Sequence, residues 1–418
     1  MSRAVPSTPN AGKRLLELVA SGVDLVGWGT GGVFELLHAY LPLPLKYLVD
    51  NRSIGFEGAG LPFDVFSPDR LLGEDPASTC VVVYSTFWRD IEQQVKAMGP
   101  FRCVSATQLY ADDVSVGRIE TLLGTTPLPR ERYPVRAESG ILVQGPIEAG
   151  YTAQVLASYG QRFPQAHLVL STWDDTAPAL VREVETLVDE IVLSPLPSVR
   201  GVQNRNCQLV SMQRGLDACE RSGLRSIMKV RTDIAVLNHE LFDIFKNAVL
   251  AAGDGAARNR IMIPQSFTRK YIPYHPSDLV QIGSLEALQR FWRQEPDPRD
   301  FDMVDVMRQS TLDLLGRERV CAESYFGVGH RRNLAEACDG TLADAWRYLR
   351  DRFVVMDNDT FGLVWMKHPA LLQNLPLEQQ RQTVDHAFWR LLQDADIDQL
   401  VRLSPIRIDR GTWYHHAP

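Results

Sequence analysis

The chain has 418 residues, 45% of them apolar and 23% charged, and a formal charge of −7. At roughly 150 residues per domain this length holds two or three domains, and the composition excludes wholesale disorder, a collagen-like repeat and a disulfide scaffold. Residues 1–125 carry 10 Lys and Arg against 14 Asp and Glu, so neither part is basic and no nucleic-acid partner is expected. No apolar run approaches the roughly 20 residues of a membrane helix; the stretch Leu25 to Val49 is broken by Glu35, His38, Pro42, Pro44 and Lys46. The opening MSRAVPSTPNAGKR lacks the apolar core of a signal peptide. The cysteines at 80, 103, 207, 219, 321 and 338 form no CxxC pair and read as reduced core residues of a cytoplasmic protein.

In chain order, a first unit spans 10–123. Ala11–Ser21 has a helical pattern with Leu15, Leu16 and Val19 inward. Val23–Val26 reads as a strand, a glycine-rich turn follows, and Val33, Leu36, Leu37 and Tyr40 share a helix face. Leu45–Val49 is a second strand, Pro68–Leu72 a short helix, Cys80–Tyr84 a third strand and Thr86–Met98 a helix. Alternation of this length indicates a parallel sheet in an α/β fold. Residues 124–138 hold three prolines and no periodicity and read as a linker. In the second unit, 139–418, strands are expected at Ile141–Val143, His167–Leu170, Glu190–Leu193, Ile227–Val230 and Arg260–Ile263. Helices are expected at Tyr151–Phe163, Ala177–Leu187 and Asn206–Ser222, and the chain beyond 285 reads as mostly helical.

Gly27-x-Gly29-x-x-Gly32 lies between a strand and a helix, and Asp50 ends the next strand. This is the context of a dinucleotide fingerprint: glycines admit a phosphate, the helix N-terminus offers N–H groups, and the carboxylate meets ribose hydroxyls. A nucleotide or NAD is the ligand such a loop would take, with Trp28 expected to crowd its pyrophosphate; a tight turn without ligand is the alternative. The elements VGWGTGG, YLVDN and VVVYSTFWRDIEQQVKAMG resemble the Rossmann-like domains appended to bacterial sugar-modifying enzymes.

In the second unit Lys229-Val230-Arg231-Thr232-Asp233 ends an apolar strand. A carboxylate there would hold a divalent cation, Mg²⁺ or Mn²⁺, with a diphosphate leaving group, and Arg231 or Lys229 would add charge-assisted contacts; a surface ion pair is the alternative. Gln144-Gly145-Pro146 and Ser171-Thr172-Trp173-Asp174 end neighbouring strands of one sheet and converge on the same rim. Trp173 would stack on a base and Asp174 bind hydroxyls. Asp297, Asp300 and Asp302 lack the glycine and glutamate of a calcium loop and read as a solvated turn. Tyr414-His415-His416 reads as a frayed end.

The blocks ILVQGPI, YGQRFPQAHLVLSTWDD and NRNCQLVSMQRGLDACERSGLRSIMKVRTD, followed by HPSDLVQIGSLEAL and CAESYF, resemble the WavE lipopolysaccharide-synthesis family over about 138–400. The resemblance implies a GT-A-like α/β domain with a mostly helical C-terminal part, acting as a nucleotide-sugar-dependent glycosyltransferase on cell-surface polysaccharide or lipopolysaccharide. The matched positions are Gly145, Pro146, Ser171, Thr172, Trp173, Asn204, Asn206, Gln208, Lys229, Arg231, Asp233, Asp278, Gly283 and Glu323. Cys207 stands where family members tend to carry a basic residue, so a phosphate contact from that position is not expected.

For the acid/base step the first candidate is Glu323, in a mostly apolar setting that would raise its pKa, and the second is Asp278. His275 and His330 read as satisfied surface residues. The expected acceptor is a glycan or lipid-linked glycan at the inner membrane face, with Arg269, Lys270, Tyr271, Arg331 and Arg332 as candidates for peripheral membrane contact. Two other readings stay open: redox or epimerase chemistry on NAD or a nucleotide-sugar in the first unit, and a non-catalytic scaffold of a polysaccharide-assembly complex.

Overall fold

Runs of apolar residues with no polar alternation build strands buried on both faces, and the first unit is organised around one, Thr79–Val83, whose five residues are all buried. In a computed structural model, residues 13–40, 42–51, 63–85, 87–130, 138–251, 259–298, 321–372 and 383–404 are described. The chain divides into two units, Met1–Thr121 with Trp365–Pro376, and Leu122–Val364 with Leu377–Pro418.

The first unit holds strands β1 (Asp24–Trp28), β2 (Leu45–Val49), β3 (Val65–Phe66), β4 (Thr79–Val83) and β5 (Arg102–Ser105). They form one sheet in the order β3-β2-β1-β4-β5, parallel throughout. Strand alternation sends Leu25, Cys80 and Val82 to one core and Val26, Trp28, Val81 and Val83 to the other. Trp28 is therefore a core residue at 1% exposure and does not crowd the loop as expected.

The glycine loop is shaped by packing. Gly29 has φ +107, and a Cβ there would lie 2.7 Å from the Tyr84 carbonyl oxygen. Asp50 accepts from the backbone N and the hydroxyl of Thr30, at 3.0 and 2.9 Å, which ties β2 to the loop. Gly32 is the first residue of the helix Gly32–Tyr40.

The second unit holds β6 (Ser139–Gln144), β7 (His167–Trp173), β8 (Glu190–Ser194), β9 (Ser226–Arg231), β10 (Ile234–Val236), β11 (Ile261–Pro264), β12 (Gln281–Ser284), β13 (Phe353–Met356) and β14 (Leu363–Trp365). Seven form a sheet in the order β13-β11-β12-β9-β6-β7-β8, and β10 pairs with β14. Strands β6 to β9 are mutually parallel, whereas β12 runs antiparallel to β9 and β11. The helix Arg205–Arg221 packs on this sheet; Gly215 sits where a Cβ would press into the Leu142 side chain. Within the stretch read as a linker, Arg130 donates its backbone N–H to Thr186 (2.8 Å) and its Nε to Asp189 (2.9 Å). The region beyond 285 is helical at Leu285–Trp292, Ala322–Asn333, Leu342–Arg352, His386–Asp394 and Ile397–Leu403, but it also supplies β13 and β14. All six cysteines are free thiols. No helix of the described residues is long and apolar enough to cross a membrane.

Because Gly29 combines a left-handed φ with a backbone contact, Gly29→Ala is expected to destabilise the full-length chain by about 1–3 kcal/mol. Chemical denaturation checks this; a variant as stable as the parent contradicts a structural role for Gly29.

Candidate functional site

The second sheet reverses direction at its first strand. The chain runs from β6 to β7 to β8 on one side, then returns to lay β9 on the other side of β6. Ligands of open α/β sheets bind outside the carboxyl ends of the strands at such a reversal. The loops leaving it are Gly145–Pro146 and Thr232–Asp233. Gly145 has φ +127, and a Cβ there would meet Thr232 Oγ1 at 3.0 Å, so the two loops touch.

Register gathers polar side chains on one face of this rim. Gln144 stands level with Ser171 and Arg231, and Trp173 with Ser194. The helix Arg205–Arg221 is bound to the same face: Ser211 Oγ donates to Gln144 Oε1 at 2.7 Å, and Ser171 Oγ donates to the Ser211 carbonyl at 2.7 Å. Thr172 Oγ1, Ser194 Oγ and Gln208 Oε1 are buried with no hydrogen-bond partner among the described residues. Such groups cost free energy unless something supplies the bond.

Charge concentrates at the end of β9. Arg231 donates through Nε and Nη2 to the two carboxylate oxygens of Asp233, at 3.0 and 3.2 Å. Asp233 is buried, while the Arg231 side chain keeps 29% of its surface exposed. Lys229 is fully buried; its ammonium donates to the Asp278 carbonyl and lies 5.1 Å from the Trp292 ring. Burial pushes that ammonium down to about 8.

Glu323 lies in the first turn of the helix Ala322–Asn333, whose Ala322 N–H is capped by Gln203 Oε1 at 2.9 Å. Burial, and then the neighbouring Asp278 carboxylate, push the Glu323 carboxyl up to about 7. Its Oε2 is 3.6 Å from Nε2 of His275. His275 is buried, not a surface residue, and its Nδ1 faces the Phe267 carbonyl at 2.9 Å. Burial, with Arg269 second, pushes this imidazole down to about 3. His330 is also buried, with Nδ1 on the Tyr348 hydroxyl.

The structure thus places Gly145, Pro146, Thr172, Trp173, Asp174, Arg231 and Asp233 at the ends of β6, β7 and β9, and Asp278 and Glu323 beside that cluster. Asp174 and Pro146 are exposed on their loops. Asn204 is exposed and left-handed at φ 57, following Gln203 at φ 55. Asn206 is turned inward: its amide nitrogen donates to the carbonyls of Val199 and Asp297, and its oxygen accepts from the Asp297 N–H. Gly283 pairs with Ile227, below the rim. Asp297 is not solvated as expected but 1% exposed, ion-paired to Arg205 at 3.1 Å; Asp300, Asp302 and Tyr414–His416 lie outside the described residues. Arg331 is buried against Asp344 and Glu336, and the Lys270 ammonium sits 3.6 Å from the Phe388 ring centroid. Sequence reasoning missed Gln203 as a cap, because the N–H it accepts from lies 119 residues away in the chain.

Residues 140–382 match the WavE lipopolysaccharide synthesis family. The chain belongs to that family. The WavE match contains both loops of the sheet reversal, Asp278 and Glu323. No curated protein matches the chain in sequence. Among solved structures it is similar to a cytidylyltransferase from Leptospira borgpetersenii serovar Hardjo-bovis (strain JB197), at 15% identity and TM-score 0.27 over 42% of this chain and 73% of that one. It is also similar to a mannose-1-phosphate geranyltransferase from Thermus thermophilus, at 12% identity and TM-score 0.25 over 47% and 68%. A third is a Desulfovibrio desulfuricans protein described as a nucleotide-diphospho-sugar transferase, at 14% identity and TM-score 0.24 over 48% and 96%.

The raised Glu323 pKa has a stability consequence. An unfolded glutamate titrates near 4.5 and the folded one near 7, so the native state keeps the proton longer. That contribution is complete below about 4.5 and is lost as pH climbs to about 7. Glu323→Gln is therefore expected to melt close to the parent at pH 4.5 and above it at pH 8. Equal melting midpoints across the whole range contradict the raised value.

Proposed function

We propose that this WavE-family chain is a glycosyltransferase that moves a sugar from a nucleotide-sugar donor to a glycan or lipid-linked glycan precursor of cell-surface polysaccharide or lipopolysaccharide. The observation that carries the reading is the meeting, at one strand-order reversal, of a partly exposed guanidinium with a largely buried carboxyl that its burial and Asp278 push up to about 7. The first suits a diphosphate and the second an acceptor hydroxyl.

In this reading Trp173 stacks on the base, while Ser194 and Gln208 bring it buried polar atoms with no hydrogen-bond partner among the described residues; Thr172, between Ser171 and Trp173, lies on the opposite face of β7. Asp174 and Asn204 meet ribose hydroxyls from exposed loops, and Gly145–Pro146 line the donor. Arg231 takes the diphosphate. Lys229 and Asn206 act one step removed: Lys229 holds the Asp278 segment and Asn206 the Asp297 segment. Glu323, as carboxylate, takes the proton of the acceptor hydroxyl as that oxygen bonds to the anomeric carbon; the bond from that carbon to the diphosphate breaks, and the nucleoside diphosphate leaves against Arg231. Asp278 keeps the Glu323 carboxyl basic enough for this step.

Among the described residues no group of three or more His, Cys, Asp or Glu could hold a metal ion. A divalent cation would rest on Asp233, sharing that carboxylate with Arg231, and would draw its other ligands from the donor's phosphates and water. Bound there it would supply charge neutralisation for the leaving diphosphate.

A second reading places a nucleotide or NAD on the loop Gly27–Gly32 with Asp50. The strand order of the first sheet, which also reverses at its first strand, favours it. Gly29 and Asp50 already serve the fold there, through Tyr84 and Thr30.

Thermal melting of the full-length chain against uridine, guanosine and cytidine nucleotide-sugars and NAD tests both. A ligand at 100 times its Kd adds about 2.7 kcal/mol, enough for a shift of a few degrees. The expected result is a shift with one nucleotide-sugar class, lost in Arg231→Ala and enlarged by Mn²⁺, with no shift from Mn²⁺ alone. A shift with NAD only, lost in Asp50→Ala, contradicts the transferase reading.

A further inference from the structure

The loop before β12 is built to fix one imidazole. Phe267 and Tyr274, both non-glycine residues, hold left-handed backbone at φ 64 and 54, a conformation that persists only where the surroundings enforce it. Between them the chain folds back so that the Arg269 N–H donates to the His275 carbonyl at 3.0 Å, and the Phe267 carbonyl meets His275 Nδ1 at 2.9 Å. A carbonyl oxygen only accepts, so Nδ1 carries the proton and, in the neutral ring, Nε2 is a bare acceptor. That acceptor stands 3.6 Å from Glu323 Oε2, with both side chains almost wholly out of water. An ionised carboxylate facing a lone pair gains nothing from it, whereas a protonated carboxyl needs to close the gap by only about half an ångström to bring its O–H within hydrogen-bond distance of Nε2.

We propose that His275 is a positioning residue for Glu323: its tautomer, set by Phe267, offers Nε2 as the built-in acceptor for the proton that Glu323 takes up. The role of Glu323 as base rests on the transferase reading; the pairing with His275 does not. The pair holds one exchangeable proton. When Glu323 removes a proton from a hydroxyl, the new O–H turns to Nε2, the protonated form is favoured and the carboxylate is the stronger base. The other charged groups that reach Glu323 are Asp278, which raises its pKa, and Arg269 and Arg231, which lower it; Lys229, which feels the Glu323 charge, sits beyond Asp278.

Long-range proton–nitrogen NMR of the intact, ¹⁵N-histidine-labelled chain from pH 5 to 9 tests the proposal. One ring should remain the neutral Nδ1–H tautomer throughout, with an Nε2 resonance that moves in a single step near pH 7 as Glu323 ionises. Glu323→Gln, a close match in shape with a permanent N–H donor, should remove the step and leave that resonance pH-independent. His275→Asn, which keeps a donor for Phe267 but nothing at Nε2, should remove the resonance and lower the Glu323 carboxyl titration read by ¹³C-glutamate NMR, and His275→Gln should restore it. A His275 ring, assigned by its loss in His275→Asn, that becomes imidazolium in this range, or a spectrum in which no Nε2 resonance responds to Glu323→Gln, overturns the proposal. No nucleotide enters this measurement, so its failure removes the part of His275 alone, whereas failure of the melting panel removes the transferase reading alone.

Discussion

The buried ammonium of Lys229 holds the second unit's site together. A charge taken fully out of water is tolerated only with good polar partners, and this one has the Asp278 carbonyl and the face of Trp292. Trp292 in turn donates its indole N–H to Gln281 Oε1 at 2.7 Å, and Gln281 donates to the Ser277 carbonyl at 3.2 Å. The segment from Ser277 to Gln281 is thereby bound to β9 and to the helix Leu285–Trp292. That binding sets the Asp278 carboxylate beside the end of β9, where it raises the Glu323 pKa. Loss of the ammonium would leave the Asp278 carbonyl and the Trp292 ring face without their cation.

Both units reverse strand order at their first strand, and in both a glycine after that strand packs on the neighbouring loop: Gly29 on Tyr84, Gly145 on Thr232. The shared geometry follows from two parallel strands continuing side by side past their ends, and says nothing by itself about a ligand. The difference lies in the side chains. In the first unit Asp50 is bound to Thr30. In the second, a guanidinium, the buried acids Asp233 and Asp278 and the largely buried Glu323 occupy the rim, and Thr172, Ser194 and Gln208 bring polar atoms with no hydrogen-bond partner among the described residues. The chemistry follows the side chains, not the fold.

Much of this was legible in the sequence where local pattern suffices. Leu45–Val49 reads as a strand and is one, and Arg231–Asp233 ends a strand as its apolar run implies. Contacts distant in sequence were not legible. Asp297 looked solvated beside Pro296 and Pro298, but its partner Arg205 is 92 residues away. His275 looked like a lone surface histidine because Phe267 and Glu323, which enclose it, give no local signal. Strands β3 and β13 went unseen for another reason: β3 has two residues, and β13 follows directly on a helix, too short a context for a period to register.

Hydrogen–deuterium exchange of the full-length chain, with and without a mixture of uridine, guanosine and cytidine nucleotide-sugars, tests the central claim most directly. The account predicts slowed exchange at 144–146, 171–174, 203–208 and 231–233, with residues 27–32 and 50 unchanged. Protection confined to 27–32 and 50, with the rim of the second sheet unaffected, would contradict it.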